Sequence, residues 1–388
     1  MNGDKSRLTS KPSKPSQPTT QDATISVFVC GDVMTGRGID QALLYPGNPI
    51  LYEPHIRDAR EYVRLAERVN GPIARPVDYA YIWGSALEQL EQAHVDVRII
   101  NLETSVTSCA DAWPGKEIHY RMHPRNIGCL TSARIDCCCL ANNHVLDWGY
   151  AGLTETLQTL DHAGIARAGA GHNAEEAASP ARLDVPGKGR VLVFSLGSTT
   201  AGIPSQWAAT EDSAGVNVLK DLSEQTAWRV ASQIGETKRA GDVVLASIHW
   251  AGNWGYDIPE EQIRFAHRLV EEGVDIVHGH SSHHVKALEV HRDRPILYGC
   301  GDFVDDYEGI SGYEEFRNDL RLIYVLRVDP GDGRLEEARL YPMQASRFRL
   351  NSASEADTRW LCGLLNTLGA PLGTHVALDC DNSMVLRR

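Results

Sequence analysis

The chain has 388 residues, enough for one large core or two modest ones, and its 42% hydrophobic and 23% charged residues are ordinary for a globular protein. A formal net charge of -13 at pH 7 argues against nucleic-acid binding, which normally needs a basic face. No run approaches the roughly 20 apolar residues that span a bilayer, so no membrane partner is expected.

Residues 1–23 are rich in Lys, Ser, Pro, Thr and Gln and nearly devoid of apolar side chains. They are expected to form a disordered tail. They lack the apolar segment of a secretory signal, so a soluble cytoplasmic protein is expected. Nine cysteines are present with no C-x-x-C pair, which disfavours a thiolate zinc site and points to reduced, buried thiols.

Apolar spacing predicts a strand at 24–30, helices at 58–70 and 83–93, a strand at 95–102, a short helix at 126–133 and a strand at 135–141. An amphipathic helix at 149–163 precedes strands at 165–168 and 190–196 and a helix at 222–240. Next come a strand at 242–249, a helix at 259–272, and strands at 275–278, 295–298, 320–328 and 338–343. Strands alternating with helices imply one layered α/β domain over 24–350. Residues 351–388 read as a helix and extended segment packed on that domain.

The residues at the strand ends carry the chemistry. The first strand ends at Asp32, the next at Asn101 and Glu103, and the next at Asn143 and His144. A later strand ends at His249. Another runs into V-H-G-H-S-S-H-H-V at 277–285, which places His278, His280, His283 and His284 within seven residues. In layered α/β folds, ligands bind at the carboxyl ends of strands. Each residue alone has a plainer explanation: a turn for Asp32, a helix cap for Asn143, a satisfied strand end for His249. Five strand ends with carboxylate, carboxamide or imidazole groups instead suggest one metal centre, whose mixed O and N donors suit Zn, Mn or Fe. His278, the last residue of its strand, reads as structural.

Six blocks together resemble the CapA-like poly-γ-glutamate capsule-synthesis family. They are G-D-V-M-T-G-R at 31–37, N-L-E-T at 101–104, A-N-N-H-V-L-D-W-G at 141–149, S-I-H-W-A-G-N-W-G-Y at 247–256, G-H-S-S-H-H-V at 279–285 and Y-G-C-G-D-F at 298–303. The resemblance implies a four-layered α/β/β/α sandwich of the metallo-dependent phosphatase type. It implies metal ligands at Asp32, Glu103, Asn143, His249, His280 and His283, holding one or two divalent ions with no organic cofactor. Met34 stands where the wider superfamily usually has histidine, and Glu103 where it usually has aspartate. His144 is implied as a proton-transfer group oriented by Asp147, with His284 as a second one. Arg37 could hold a carboxylate through its fork. Trp250, Asn253 and Trp254 could wall the substrate, although packing explains the tryptophans equally well.

Three functions fit these residues. The favoured one is a peptide epimerase that inverts a Cα centre by metal-assisted proton abstraction and reprotonation. It rests on soluble family members of lasso-peptide biosynthesis, and its partner would be a ribosomal precursor peptide, with leader, modified at its C-terminal residue. The alternatives are a metal-dependent hydrolase of phosphoester or amide bonds, and a component of capsule poly-γ-glutamate synthesis.

Overall fold

The computed structural model describes residues 24–387, so the tail expected at 1–23 lies outside the described residues. Two mixed β-sheets pack face to face, and helices cover the outer face of each. The first sheet runs Asp302–Val304, Asp32–Val33, Val97–Leu102, Ile25–Cys30, Leu320–Val328, Leu335–Ala345, Met384–Arg387 and His375–Leu378. Cys137–Cys139 joins it beside Val97–Leu102, and Ala166–Ala168 pairs with Cys137–Cys139 in turn. The second sheet contains Gly189–Ser198, Asp242–His249, Ile276–His280 and Arg294–Leu297, all parallel, with Leu288–His291 antiparallel at one edge.

Strand alternation sorts the side chains into layers. Ile25, Val27 and Val29 meet Val191, Val193, Val243 and Leu245 in the core between the sheets. Phe28, Cys30, Ile100 and Leu102 face the other way, against helices Arg60–Asn70, Ser85–Gln92 and Gly149–His162. Leu192, Phe194, Val244, Ala246 and Ile248 pack beneath helices Glu224–Thr237 and Glu260–Glu271. Strands buried on both faces are near-continuously apolar, as these are. The order is therefore helix, sheet, sheet, helix, the four-layered sandwich implied by the resemblance.

Cys137, Cys138 and Cys139 fill a central strand as small hydrophobes, and no cysteine among the described residues is disulfide-bonded. Burial pushes the Cys138 thiol well above its ordinary range. Helix Glu355–Gly369 turns Leu361 and Leu365 into the core between the sheets. The chain then closes with hairpin His375–Leu378 and Met384–Arg387, which extends the first sheet rather than trailing over it. Among the described residues no helix is long and apolar enough to cross a membrane.

Candidate metal centre

The parallel strands of both sheets point their carboxyl ends the same way, and the strand-end residues converge there. Asp32 starts a two-residue strand that pairs in parallel with Asn101–Leu102 on one side and with Asp302 on the other. Gly31 makes this approach possible: a Cβ there would lie 2.0 Å from the Gly301 carbonyl oxygen. Asn101 Nδ2 donates to Asp32 Oδ1 at 2.7 Å, and the Ser281 amide donates to Oδ2 at 3.1 Å.

A proton relay sets the histidines. His278 Nε2 lies 2.7 Å from the Cys30 carbonyl, which can only accept, so Nε2 carries the proton. Burial lowers the His278 pKa to about 4, so the ring is neutral and Nδ1 accepts from the Ser247 hydroxyl at 3.1 Å. That hydroxyl has one proton, so it must accept from His280 Nε2 at 2.8 Å. His280, driven well below its ordinary pKa by burial, is left with a bare lone pair on Nδ1. This nitrogen faces His249 Nδ1 at 2.9 Å and Asp32 Oδ1 at 3.4 Å. His249 Nε2 in turn lies 3.0 Å from Asn143 Oδ1. If His249 donates to that oxygen, two imidazole lone pairs meet at 2.9 Å, a contact that a cation relieves.

The carboxylates agree. Asp32, Glu103 and Asp302 are all buried, with ligating atoms within 4.8 Å of one another, and Asp32 also groups with His249 and His280 within that limit. Asp32 is thus common to both sets. Burial, then the charge of Asp302, pushes its carboxyl up to about 8. Burial, then Asp32 and Asp302, pushes Glu103 well above its ordinary range. Glu103 Oε2 and Asp302 Oδ2 are buried without any hydrogen-bond partner. Orphaned carboxylate oxygens beside facing imidazoles fit one or two divalent ions, with a donor set suited to Zn, Mn or Fe.

This geometry has a pH signature. Metal binding needs an ionised Asp32, so affinity is expected to rise as pH approaches about 8, with proton release on binding. Calorimetry in two buffers of unlike ionisation enthalpy measures that release; an affinity flat from about pH 6 to 9 would contradict it. For the metal-free protein the sign reverses. A proton retained by folded Asp32 and lost by the unfolded chain above about pH 3.9 makes stability fall as pH rises from there through about 8.

Beside the metal set, His144 and Asp147 form a buried pair. His144 Nδ1 is 2.6 Å from Asp147 Oδ2, and Nε2 is 3.9 Å from Glu103 Oε1. Tyr120 stacks on the imidazole at 3.8 Å, and its amide donates to Asp147 Oδ2 at 2.6 Å. Lys116 forms an ion pair with Asp147 Oδ1. Burial, then the charge of Lys116, holds His144 well below its ordinary pKa, so it is neutral at pH 7. A cleft of about 380 Å³ opens over Glu103, Lys116, Asn143, His144, Asn253 and His283. A second cavity of about 290 Å³ continues past Tyr120 to Trp254, Tyr307 and Tyr313.

Several expected residues take other places. His283 is gathered into neither metal set: the chain turns at Ser281 (φ 103°), and His283 Nδ1 pairs with Asp302 Oδ1 at 2.9 Å. His284 is turned away from the cleft, buried against Phe316, Trp254 and Tyr256, with Nδ1 on the Val285 carbonyl at 3.1 Å. Burial lowers its pKa to about 4. Arg37 borders the second cavity, but its fork is spent on Asp306, and Nη1 donates to Glu53 at 2.9 Å. Trp250 is a core residue, stacked with Tyr298 and donating to its carbonyl at 3.0 Å. Asn253 and Trp254 do line the cleft walls.

Two residues join the site unexpectedly. Asp302 follows Gly301 at a strand end as Asp32 follows Gly31, a repeated G-D signal that was legible in the sequence. Lys116 lies in an irregular stretch with no pattern to mark it.

The family model described as "Bacterial capsule synthesis protein PGA_cap" matches residues 26–307. A relative from Mycobacterium tuberculosis, named "Probable polyglutamine synthesis accessory protein", is 47% identical over 359 residues, 92% of this chain and 94% of that one. The PGA biosynthesis protein CapA of Bacillus subtilis is 24% identical over 326 residues, covering 84% and 74%. The crystal structure of a phosphatase from Mycoplasma pneumoniae superposes with a TM-score of 0.45 at 8% identity, covering 84% of this chain and 96% of that one.

Proposed function

The chain belongs to the bacterial capsule synthesis protein PGA_cap family, and from that premise we propose that it is a metal-dependent hydrolase cleaving amide bonds in a glutamate-type peptide polymer. The observation that carries the reading is the single His144–Asp147 dyad facing the cleft beside the metal set. A divalent ion held by Asp32, His249 and His280, with Glu103 and Asp302 alongside, would supply Lewis acidity at the scissile carbonyl.

The chain's own groups then handle one proton. Asp147 accepts from His144 Nδ1, which leaves Nε2 bare toward the cleft. Nε2 takes a proton from the attacking water and returns it to the departing amine nitrogen; water and amide become carboxylic acid and amine, and the acid's proton then passes to the amine to leave carboxylate and ammonium. Lys116 holds the Asp147 charge in place through this exchange. Asn253 and Trp254 border the polymer's path. The polymer itself is suggested by the relatives named for polyglutamine and PGA synthesis.

The placement of His284 favours hydrolysis over inversion. Inverting a Cα centre needs a base on one face and an acid on the other. His144 and Asp147 act as one unit on one side, and His284 is sealed beneath Trp254 and Phe316.

Metal-loaded protein incubated with poly-γ-glutamate is expected to release new amino termini, measured by an amine-reactive dye, and a chelator is expected to stop it. A polymer unchanged in length at demonstrated full metal occupancy would overturn the proposal.

A further inference from the structure

A second cluster of metal-ligating side chains lies on another part of the second sheet. Helix Glu260–Glu271 offers His267 and Glu271, four residues apart and so on one helical face. Edge strand Leu288–His291 offers Glu289 and His291, two apart and so on one strand face. Glu289 is in register with Ile296, and Ile296 with Val277. That level is three residues short of His280, about 10 Å back along the strands. The cluster is therefore separate from the strand-end centre around Asp32.

Its contacts are those of a built site. The His267 and His291 rings stack at 3.8 Å with an 8° tilt. His267 Nε2 lies 2.8 Å from Glu289 Oε1, and the Tyr298 hydroxyl donates to Glu289 Oε2 at 2.6 Å, fixing that carboxylate from behind. His291 Nε2 is shut off from solvent without a hydrogen-bond partner, and its nearest carboxylate is Glu271 Oε1 at 3.5 Å. Arg268 and Arg292 brace Glu271 at 3.2 and 2.9 Å. One ligand atom from each of His267, Glu289 and His291 lies within 4.8 Å of the others. Because imidazole lone pairs lie in the ring plane, one ring must turn out of the stack for both to meet one ion, which brings that spacing to the roughly 3.4 Å between tetrahedral ligands placed about 2.1 Å from it.

We propose that His267, Glu289 and His291, with Glu271 at the rim, form a second divalent transition-metal site that pins helix Glu260–Glu271 to the sheet's edge strand. The donor set, two imidazoles and one or two carboxylates, is that of zinc. The ion takes the place of the proton between His267 and Glu289 and gives His291 Nε2 the partner it lacks. Leu288–His291 has one strand neighbour, and the ion would tie it to the helix as well.

Zinc content of the full chain tests this. Protein loaded with zinc chloride and desalted is assayed by mass spectrometry as wild type, as His267→Gln/His291→Gln and as Asp32→Ala/His280→Ala. The first variant is expected to hold one zinc equivalent fewer than wild type. The second, which strips the strand-end centre, is expected to keep one, and zinc should raise its melting temperature. Equal zinc in wild type and His267→Gln/His291→Gln would overturn the proposal, as would no zinc in Asp32→Ala/His280→Ala. Absence of zinc from the second variant overturns the proposal even if the first folds poorly, and it does so whatever reaction the protein catalyses.

Discussion

His280→Ala is expected to lower activity at least about a thousandfold and to abolish stoichiometric metal binding at the central site. The imidazole supplies the bare Nδ1 that faces His249 and Asp32. It is also the last member of the relay from Cys30 through His278 and Ser247, so its loss leaves the Ser247 oxygen without its donor. An ion acting on a reacting carbonyl is worth several kcal/mol, and each 1.4 kcal/mol is a factor of ten. Metal content and kcat/KM, measured on the same preparation, check this. A variant that retains both would remove His280 from the centre. Fold is expected to survive, because the cavity lies at the strand ends rather than in the core between the sheets.

His144→Ala is expected to reduce kcat by roughly 10²- to 10⁴-fold while KM and metal content stay near wild type. The ring belongs to neither metal set, and its Nε2 is 3.9 Å from Glu103 Oε1, so metal ligation is not expected to depend on it. Asp147→Asn is expected to cost less, about 10- to 100-fold, because the amide can still hold the ring but leaves Lys116 without its counter-charge. Burial keeps His144 neutral at pH 7, so the acid limb of the wild-type rate profile should lie below pH 6.5. Steady-state kinetics across pH separate these roles. Equal losses in kcat and metal content for His144→Ala would make it a ligand instead.

Much of the layering was legible because buried strands are continuous apolar runs. Residues 242–249 and 320–328 form strands with the expected bounds. The C-terminal hairpin was missed because His375–Leu378 is short and half exposed, and its place depends on pairing with the distant Leu335–Ala345. At the site, the strand-end pattern marked Asp32, Glu103, Asn143, His144, His249 and His280, and the structure brings these side chains together at one end of the sheets. The pattern gives no position beyond them, where the strand period stops. After His280 the chain turns at Ser281, so the positions of His283 and His284 follow from tertiary packing and not from spacing. Trp250 was legible after all. It continues the alternation of Val244, Ala246 and Ile248 toward the helices, opposite to His249. Asp302 lies in a three-residue strand too short to read, and the block Y-G-C-G-D-F and its echo of Gly31-Asp32 marked it.

On the proposed mechanism, this site adds water across an amide bond. Metal-loaded protein and a glutamyl polymer, incubated in water enriched in both ¹⁸O and deuterium and analysed by mass spectrometry after back-exchange, test it most directly. Hydrolysis gives shorter fragments carrying one ¹⁸O in each new carboxylate and no deuterium on carbon. Intact polymer carrying deuterium at Cα would contradict it and establish inversion in its place.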